Sequence, residues 1–305
     1  MTPSEPLVFA VVLNWNDLAS TCACVRSLER VSYSRLKIVV VDNGSTDGSV
    51  RALQQDFKGH AVLCLDENGG YAKGNNEGIR YALAKGAEFI LLLNNDVVVQ
   101  PNFLQPLVEA AESNPGAGML TGKAYLADSP GQLYATAGHF RRWRCNMAPI
   151  PRSAADDPTE ITAASGCFLF IRKGVFEKVG FLNERFFLYF EDLEFSRRVS
   201  RGFAMHYVPA SVIHHKSGAG SGWGSYTPLY LFYSARNRFL AFHGDPLWYR
   251  LYVFFFSVAN ALAKSGRIIA DLARRQERHY VTARLRALWR GFREGITLTW
   301  GRWQQ

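Results

Sequence analysis

The chain has 305 residues, 48% of them hydrophobic and 20% charged, an ordinary globular mixture that can bury a full core in one large domain or two small ones. Its five cysteines are odd in number and two lie inside apolar runs, which favours a reduced, cytoplasmic compartment over a secreted disulfide scaffold. The first apolar run, residues 7–13, is too short for a secretory leader and is interpreted as a strand.

The formal net charge of +9 is concentrated near the end of the chain. Between Lys264 and Arg302, ten Lys and Arg residues stand against three acidic residues, a net charge of +7. The field of such a segment attracts phosphate-rich partners, either anionic lipid or nucleic acid. A basic nucleic-acid-binding protein therefore stays open as an alternative to an enzyme at this point.

In the first hundred residues, apolar β-branched runs alternate with stretches of helical periodicity. This alternation is typical of an α/β fold, a mainly parallel sheet with helices on both faces, in which ligands bind beyond the carboxyl ends of the strands. Strands are predicted at residues 8–13, 37–41, 61–65 and 89–93, and helices at 19–29, 48–56 and 72–85.

The rest of the chain is less regular. Residues 130–162 gather Pro, Gly and charge, which predicts an exposed loop or lid. We expect an α/β domain over residues 1–225, with halves 1–100 and 101–225, and a helical extension over 226–305. Within the second half we predict a strand at 161–171, a helix at 191–201, a short strand at 205–208 and a loop containing Gly218, Gly220, Gly222 and Gly224.

The extension is rich in aromatic residues over 226–243 and 247–263. Its longest apolar stretch, 251–263, is shorter than the ~20 residues of a spanning helix. The Arg-rich segment 283–292 has Trp, Leu and Phe spaced as in a helix that lies in the headgroup plane, and an amphipathic helix packed on the domain is the alternative. The expected location is peripheral, on the inner face of the cytoplasmic membrane.

Three of the predicted strands end in polar clusters, which begin at Asn14, Asp42 and Asn94. Because the carboxyl ends of parallel strands meet at one edge of a sheet, all three should line that edge. A carboxylate such as Asp42 can accept hydrogen bonds there from a base imide or a ribose hydroxyl. The alternative is that these residues only form turns and helix caps.

Six short motifs in order give the chain a resemblance to the inverting glycosyltransferases of family 2, which have the GT-A fold, and especially to their rhamnosyltransferase-like members. The resemblance covers about residues 8–242. The motifs are VVDNGSTDG at 40–48, ENGGYAKGNNEG at 67–78, LNND at 93–96, SGC at 165–167, FED at 190–192 and HH at 214–215.

The resemblance implies that a nucleoside-diphosphate sugar binds at the strand ends. The glycine-rich motif lets the backbone approach a ligand and then opens a helix whose N-terminus favours anionic groups. Lys73 in that motif is left as a solvated helix lysine. The residues expected to contact the donor are Asn14, Asp42, Asn68, Gly70, Asn76, Asn94 and Asn95.

The resemblance also implies a divalent cation, Mg²⁺ or Mn²⁺, on the donor diphosphate, because a hard cation stabilises the charge that develops on this leaving group. Asp96 is the expected ligand, and the chain departs from the family's Asp-x-Asp pattern by carrying Asn94 at its first position. His215 is the expected second ligand, with His214 as the alternative, because adjacent residues of a strand point to opposite faces.

By the same resemblance, Asp192 is the catalytic base that deprotonates the acceptor hydroxyl. The alternative is that acids at the start of a helix only favour its dipole. Gly166, Cys167 and Glu191 are expected to line the acceptor or sugar pocket. The reaction would be a single displacement that inverts the anomeric carbon, with a glycan or lipid-linked glycan as acceptor in cell-surface polysaccharide synthesis.

The residues after the first strand argue against two rival enzyme classes. A sugar nucleotidyltransferase would carry a Gly-rich, Arg- or Lys-bearing loop after the first strand, where this chain has Asn14-Trp15-Asn16. A dehydrogenase would carry a Gly-x-Gly-x-x-Gly motif there. An inactive module that binds the nucleotide sugar without turnover stays open, and no nucleic acid partner is expected once the motifs are considered.

Overall fold

The computed structural model describes residues 5–129, 131–216, 226–273 and 278–298. The chain divides into two compact units. The first, called the strand unit, comprises Met1–Glu184 and Phe195–Ser217, and the second, called the helical unit, comprises Arg185–Glu194 and Gly218–Gln305. The domain division at residue 225 stays a prediction, and the loop with four glycines lies outside the described residues.

Strands and helices alternate in the first part of the chain, and helices dominate its end. The strands are β1 Val8–Asn14, β2 Leu36–Asp42, β3 Ala61–Cys64, β4 Phe89–Asn94, β5 Val97–Val99, β6 Ala117–Leu126, β7 Leu133–Tyr134, β8 Ala137–Arg141, β9 Asn146–Pro149, β10 Thr159–Glu160, β11 Ala163–Ala164, β12 Phe168–Arg172 and β13 Ala204–His215. The helices are α1 Leu18–Leu28, α2 Ser49–Asp56, α3 Gly70–Ala84, α4 Leu104–Ser113, α5 Lys173–Val179, α6 Glu191–Val199, α7 Pro228–Ala241, α8 Leu247–Ala273 and α9 Arg278–Thr297.

One half of the main sheet is parallel, with the strand order β3-β2-β1-β4. These strands and the helices α1, α2 and α3 lie within two residues of their predicted bounds, and the predicted α/β class is confirmed. Helix α3 packs closely on β1, because a Cβ at Gly74 would lie 2.4 Å from Leu13 Cδ1. The glycine therefore lets the glycine-rich helix sit directly over the first strand.

The other half of the sheet continues past β4 in the order β12-β6-β13-β10 and is mixed. Strand β13 is longer than the predicted strand at 205–208. Its pairing with β6 is interrupted between Val208 and Val212 and then resumes as far as His215. Because of this irregularity, the alternation of apolar and polar residues does not continue into the second part of the strand, which is why the sequence did not reveal it. It also carries His214 and His215 to the edge where β5 pairs with them.

The prediction of an exposed loop over residues 130–162 was wrong. The segment contains β7, β8, β9 and β10, and β8 forms a second, three-stranded sheet with β9 and β11. The hairpin between β8 and β9 turns through a short 3-10 helix, Arg142–Arg144, and then Cys145 at a φ of 50°. Its strands are short and polar, so they carry too little hydrophobic periodicity to be recognised.

The helical unit is built on α7, α8 and α9. Helix α8 is 27 residues long and extends beyond the apolar stretch at 251–263 in both directions. The segment Leu247–Ala270, with a mean hydropathy of 1.3, is long and apolar enough to cross a membrane by length and composition. Only 22% of its apolar window is buried. A large part of this helix therefore exposes apolar side chains.

Candidate active site

The ends of β1 and β2 form a buried network rather than an open row of polar groups. Asn14 and Asp42 are opposite one another and fully buried. Asn14 Nδ2 donates to Asp42 Oδ2 at 2.6 Å, and Asp42 Oδ1 accepts from the backbone N–H of Ser45 at 2.8 Å. Thr21 donates to Asn14 Oδ1 at 2.6 Å. In this arrangement Asn14 and Asp42 fix the shape of the strand ends, and Asp42 closes the predicted turn.

The glycine-rich turn before α3 is held by an amide that the sequence did not single out. Asn43 Oδ1 accepts from the backbone N–H of Gly69 at 2.9 Å, and Asn43 Nδ2 donates to Asn68 Oδ1 at 3.0 Å. Asn68 Oδ1 also accepts from the backbone N–H of Gly70 at 2.9 Å. Gly44 has a φ of +71°, and a Cβ there would lie 2.5 Å from the carbonyl carbon of Glu67. Only glycine fits this approach of the two turns.

Asn76 was predicted to contact the donor, but its side chain is hydrogen-bonded to other parts of the protein. It is fully buried, and its Nδ2 donates to the carbonyl of Leu182 and to Glu184 Oε1, both at 2.9 Å. Its Oδ1 accepts from the backbone N–H of Leu182 at 3.1 Å. Both amide hydrogens are thus committed to the protein, so Asn76 fastens α3 to the segment before α6. We assign it a structural role.

The third polar cluster meets the end of β13. Oδ1 of Asp96 lies 3.3 Å from His215 Nε2, and Asn94 Nδ2 lies 3.4 Å from the same nitrogen. The ring of Tyr134 packs against His215 with a centroid distance of 4.5 Å. Asn95 Nδ2 donates to Thr21 Oγ1 at 3.1 Å, which joins this cluster to the buried network of β1. The structure therefore brings the predicted metal ligands together with both asparagines.

Two polar atoms in this cluster are buried and accept or donate no hydrogen bond among the described residues. They are Asp96 Oδ1 and His215 Nδ1. Buried polar atoms are nearly always paired, so an orphaned carboxylate oxygen beside an imidazole fits the coordination of a divalent cation. No group of three or more His, Cys, Asp and Glu side chains that could hold a metal occurs in the part of the chain that is described. The described residues thus bring two candidate ligands together here.

His214 lies on the opposite face of β13 from its neighbour. Its ring packs against Tyr125 with a centroid distance of 6.1 Å, and it pairs with Val98 in the strand ladder. The alternation of side chains along a strand accounts for the difference between the two histidines. Of the two, His215 is the one beside Asp96.

The SGC motif contributes backbone rather than side chains. The Gly166 carbonyl accepts from the Tyr71 hydroxyl at 2.5 Å, which ties it to the start of α3. The Cys167 carbonyl accepts from the backbone N–H of Asn94 at 3.1 Å, but its side chain is buried in the main hydrophobic core. The thiol of Cys167 therefore belongs to the core, contrary to the expectation that it lines a pocket.

In the helical unit, the segment before Glu191 adopts an unusual backbone. Tyr189 and Phe190 have φ angles of 68° and 73°, a region that bulky side chains rarely adopt. Asn237 of α7 holds this shape, since its Nδ2 donates to the carbonyls of Leu188 and Tyr189 at 2.8 and 2.7 Å. Backbone strain of this kind persists only when the surroundings enforce it, and it clusters at functional sites.

Further contacts from α7 fix the same segment. The ring of Tyr189 packs edge-on against Tyr230 at 5.3 Å, and Phe187 stacks on Tyr233 at 5.3 Å. Sequence reasoning missed Asn237 and its neighbours. The sequence does show a run of three polar residues, Arg236, Asn237 and Arg238, in a segment rich in apolar and aromatic residues. The structure buries all three fully or nearly so.

The two carboxylates at the start of α6 have different environments. Glu191 is buried, with Oε2 unpaired among the described residues, and burial followed by the charge of Asp192 raises its pKa well above the usual range. Asp192 is half-buried, and its Oδ1 accepts from the backbone N–H of Leu193 at 2.7 Å. A pair whose environments differ in this way suits one protonated structural acid and one accessible carboxylate.

The fold of the chain is of the GT-A type. The solved structure of GalNAc-T7 with UDP, GalNAc and Mn2+ superposes with a TM-score of 0.60 at 16% identity, over 70% of this chain and 44% of that one. The crystal structure of S. aureus TarS superposes with a TM-score of 0.54 at 15% identity, over 82% of this chain and 42% of that one. At these identities the likeness concerns the fold alone.

Residues 10–180 match the family model described as glycosyl transferase family 2. The chain belongs to this family and is a glycosyltransferase. It is 26% identical to the dTDP-rhamnosyl transferase RfbF of Shigella flexneri, over 76% of this chain and 79% of the relative. It is 30% identical to the N-acetylglucosaminyl-diphospho-decaprenol L-rhamnosyltransferase of Mycobacterium tuberculosis (63% and 70%) and to the hexosyltransferase Agl10 of Haloferax volcanii (74% and 75%). The predicted resemblance to the rhamnosyltransferase-like members is thereby confirmed.

Proposed function

We propose that the protein transfers a sugar, with rhamnose from dTDP-rhamnose as the first candidate, to a hydroxyl of a lipid-linked glycan in cell-surface polysaccharide synthesis. The observation that carries this proposal is the pairing of Asp96 with His215 at the strand ends of a family 2 fold, together with the carboxylates of α6. The names of two relatives, one a dTDP-rhamnosyl transferase and one acting on a diphospho-decaprenol, support the choice of donor and acceptor.

In this proposal the donor lies along the strand-end edge. Asn68, Asn94 and Asn95 are half-buried and therefore accessible, and they hydrogen-bond the nucleoside and diphosphate. Gly70 brings backbone close to the phosphates at the N-terminus of α3. Asn14 and Asp42 are buried at this edge, and their hydrogen bond to each other keeps it rigid. Preorganised donors of this kind stabilise developing charge without reorganisation.

Asp96 and His215 would hold a Mg²⁺ or Mn²⁺ ion, with the remaining ligands coming from the donor. When bound, the ion supplies Lewis-acid stabilisation of the departing diphosphate. The carboxylate oxygen suits both metals, the imidazole nitrogen suits Mn²⁺ better than Mg²⁺, and Asn94 in place of a second carboxylate reduces the negative charge of the site. The orphaned Asp96 Oδ1, which lies 3.3 Å from His215 Nε2, supports this assignment.

Asp192 acts as the general base in this proposal. It accepts the proton of the acceptor hydroxyl, whose oxygen attacks the anomeric carbon from the face opposite the leaving group, so the configuration inverts. Glu191, with its raised pKa, stays protonated beside it and adds no second negative charge. Gly166 and the backbone of Cys167 line the sugar side of the site. One carboxylate suffices because the diphosphate leaves without protonation.

A donor screen followed by a transfer assay tests the proposal. Nucleotide sugars are compared by thermal shift with and without Mg²⁺ or Mn²⁺, because a ligand that binds the native state raises its melting temperature by mass action. We expect dTDP-rhamnose or a UDP-sugar to give a metal-dependent shift and then metal-dependent, inverting transfer to a lipid-linked acceptor. Binding without any turnover would instead support an inactive nucleotide-sugar-binding module.

The helical unit is proposed to lie on the inner face of the cytoplasmic membrane. Five large apolar residues of α8 recur at intervals of four or seven and are more than half exposed, which places them on one helix face. Apolar side chains on one face together with a basic tail are the pattern of a helix in the headgroup plane. The five residues are Leu247, Leu251, Phe255, Leu262 and Ile269.

Liposome flotation tests this placement. We expect the protein to float with vesicles of phosphatidylcholine and phosphatidylglycerol, and the double variant Leu251→Gln with Phe255→Gln to lose most of this binding. The matched control is Val98→Gln, which changes an exposed apolar residue in the strand unit. Equal flotation of the double variant and the wild type would exclude this face as the contact.

A further inference from the structure

A cavity in the helical unit has no part in the reaction described above. It lies between the end of α7, the beginning of α8 and the end of α9, and its volume is about 190 Å³. Phe239, Phe242, Val253, Phe254 and Ile296 contribute to its apolar wall. An apolar cavity of about 150 Å³ is large enough to bind benzene, so this one has room for a segment of an alkyl chain.

Ring contacts among the three helices fix the wall of this cavity. Phe292 of α9 contacts Phe239 of α7 and Phe254 of α8, at centroid distances of 5.5 and 6.2 Å. A Cβ at Gly295 would lie 2.5 Å from Phe239 Cδ2, so the glycine lets α9 approach the end of α7. Because aromatic side chains from all three helices support one another, the cavity is preformed, as ligand sites in proteins usually are.

The mouth of the cavity adjoins the exposed apolar face of α8. Leu247 and Leu251 belong to that face, where they are 67% and 51% exposed, and both line the cavity. Ile296 of α9 lines it as well and is 45% exposed. The apolar surface of the face therefore continues into the cavity. A hydrocarbon chain from a membrane that contacts the face can enter there without leaving apolar surroundings.

A cation stands beside this apolar wall. Arg250 lines the cavity, is exposed, and forms no ion pair with a carboxylate among the described residues. His243, which is also exposed, lines the cavity too. Guanidinium groups are usual partners of phosphate oxygens, and an imidazole N–H can donate a further hydrogen bond. The cavity is therefore complementary to an amphiphile that has a hydrocarbon chain and an anionic headgroup.

The position of the cavity on α7 favours a membrane lipid over the glycan acceptor. Asn237 of α7 donates to the backbone of the segment before Asp192. Phe239, which lines the cavity, follows Asn237 by two residues and therefore lies about half a turn further round the helix. The body of α7 thus separates a chain in the cavity from that segment. A lipid held there serves the attachment of the protein rather than the delivery of the acceptor.

We propose that this cavity binds one acyl chain of an anionic phospholipid, whose phosphate pairs with Arg250. The inference rests on the proposed membrane placement of the helical unit for the source of the lipid, but not on the proposed sugar transfer. An apolar helix face contacts a bilayer reversibly, whereas a chain held in a cavity gains affinity with each buried methylene. The cavity therefore makes the attachment longer-lived and selective for acidic lipid.

Titration calorimetry with two single-chain lipids, each below its micelle concentration, tests the cavity on the full chain. One is lauroyl lysophosphatidylglycerol, and the other is monolauroylglycerol, which has the same chain and no phosphate. We expect the wild type to bind both, and the phosphate-bearing lipid more tightly. Arg250→Gln should weaken lysophosphatidylglycerol binding about tenfold, as for a lost charge-assisted contact, and leave monolauroylglycerol nearly unchanged. Arg286→Gln, an exposed cation of α9 outside the cavity, is the control.

Filling the cavity tests where the chain lies. Val253 is buried in the cavity wall, and Val253→Phe puts a ring into the space. Binding of both lipids should fall about tenfold or more, because each loses buried methylenes. Leu262→Phe, on the exposed face but outside the cavity, is the control. Melting temperatures show whether the variants fold, and if Val253→Phe does not, Ile296→Trp narrows the mouth from an exposed position and takes its place.

Unchanged binding of both lipids in Val253→Phe and Arg250→Gln overturns the inference. A wild-type dimer that Val253→Phe separates in sedimentation also overturns it, because a second copy would then occupy the cavity. Tighter binding of farnesyl phosphate than of lysophosphatidylglycerol, lost in both variants, overturns it in favour of the acceptor's prenyl chain. If the wild type binds the single-chain lipids as expected but neither floats with vesicles nor transfers sugar, the cavity stands, and the proposed placement and function fail.

Discussion

The strand-end edge and the segment before Asp192 hold their polar groups in contrasting ways. At the edge, Asn14 and Asp42 are fully buried and bonded to each other across neighbouring strands of one sheet. Just before Asp192, Tyr189 and Phe190 have a left-handed backbone, and Asn237, nearly fifty residues later in the chain, donates to the carbonyl of Tyr189. The edge is therefore held by the pairing of strands in one sheet, whereas the position of the base depends on a helix from a later part of the chain.

The largest effect is expected from Asp192→Asn, which removes the proposed base and keeps the shape of the side chain. Loss of a general base costs about 10²–10⁴-fold in kcat. The affinity for the donor should change little, because the donor is held at the strand ends. Glu194→Gln on the same helix is the control. A kcat within a few-fold of wild type for Asp192→Asn would remove this residue from the chemistry.

The next effect concerns the ion site at the strand ends. Asp96→Asn and His215→Ala are each expected to weaken Mn²⁺ binding about tenfold or more, since each removes one of two protein ligands. Electron paramagnetic resonance of Mn²⁺ titrated in the presence of the nucleoside diphosphate measures this. His214→Ala, on the other face of β13, should leave the titration unchanged. Equal effects of the two histidine variants would contradict the assignment.

A smaller effect is expected from Asn237→Ala, which should disturb the segment before Asp192 and leave the strand-end edge unchanged. Leu188 and Tyr189 lose the donor for their carbonyls, so the free energy of unfolding should fall by about 1–3 kcal/mol. If Asn237 positions the base, kcat should also fall about tenfold while donor affinity at the edge is kept. Ser234→Ala, one turn earlier and buried with its hydroxyl bonded within α7, is the control. Parallel loss of kcat and donor affinity would indicate general unfolding.

The smallest effect is a pH dependence of stability at Glu191. Because its pKa is raised by burial, the folded protein retains a proton that the unfolded chain loses as the pH rises, so the carboxyl costs stability towards alkaline pH. Glu191→Gln should therefore raise the melting temperature at about pH 8 and give no gain at about pH 4. The same gain at both pH values would show that ionisation is not the cause.

These contrasts also describe what the sequence can predict. The parallel half of the sheet was predictable because buried strands and amphipathic helices leave strong periodic patterns, and Asp96 and His215 came from short motifs. The β8–β9 hairpin was not, since its strands are short and polar. The contacts predicted for the side chains of Asn76 and Cys167 were wrong, because a short motif does not show which of its side chains are buried in the folded protein. Asn237 was missed because its partners are carbonyls brought close only by tertiary packing.

The irregularity of β13 has a consequence for how this site can change during evolution. Between Val208 and Val212 the strand contains residues that have no counterpart in β6, and buried Ser211 fastens them to the Phe103 carbonyl at 2.7 Å. Side chains alternate along a strand, so a one-residue insertion here would move everything that follows by one position and exchange its two faces. His214 would then take the place of its neighbour beside Asp96. The doubled histidine thus keeps an imidazole beside Asp96 after an insertion, whereas a one-residue deletion would place Lys216 there.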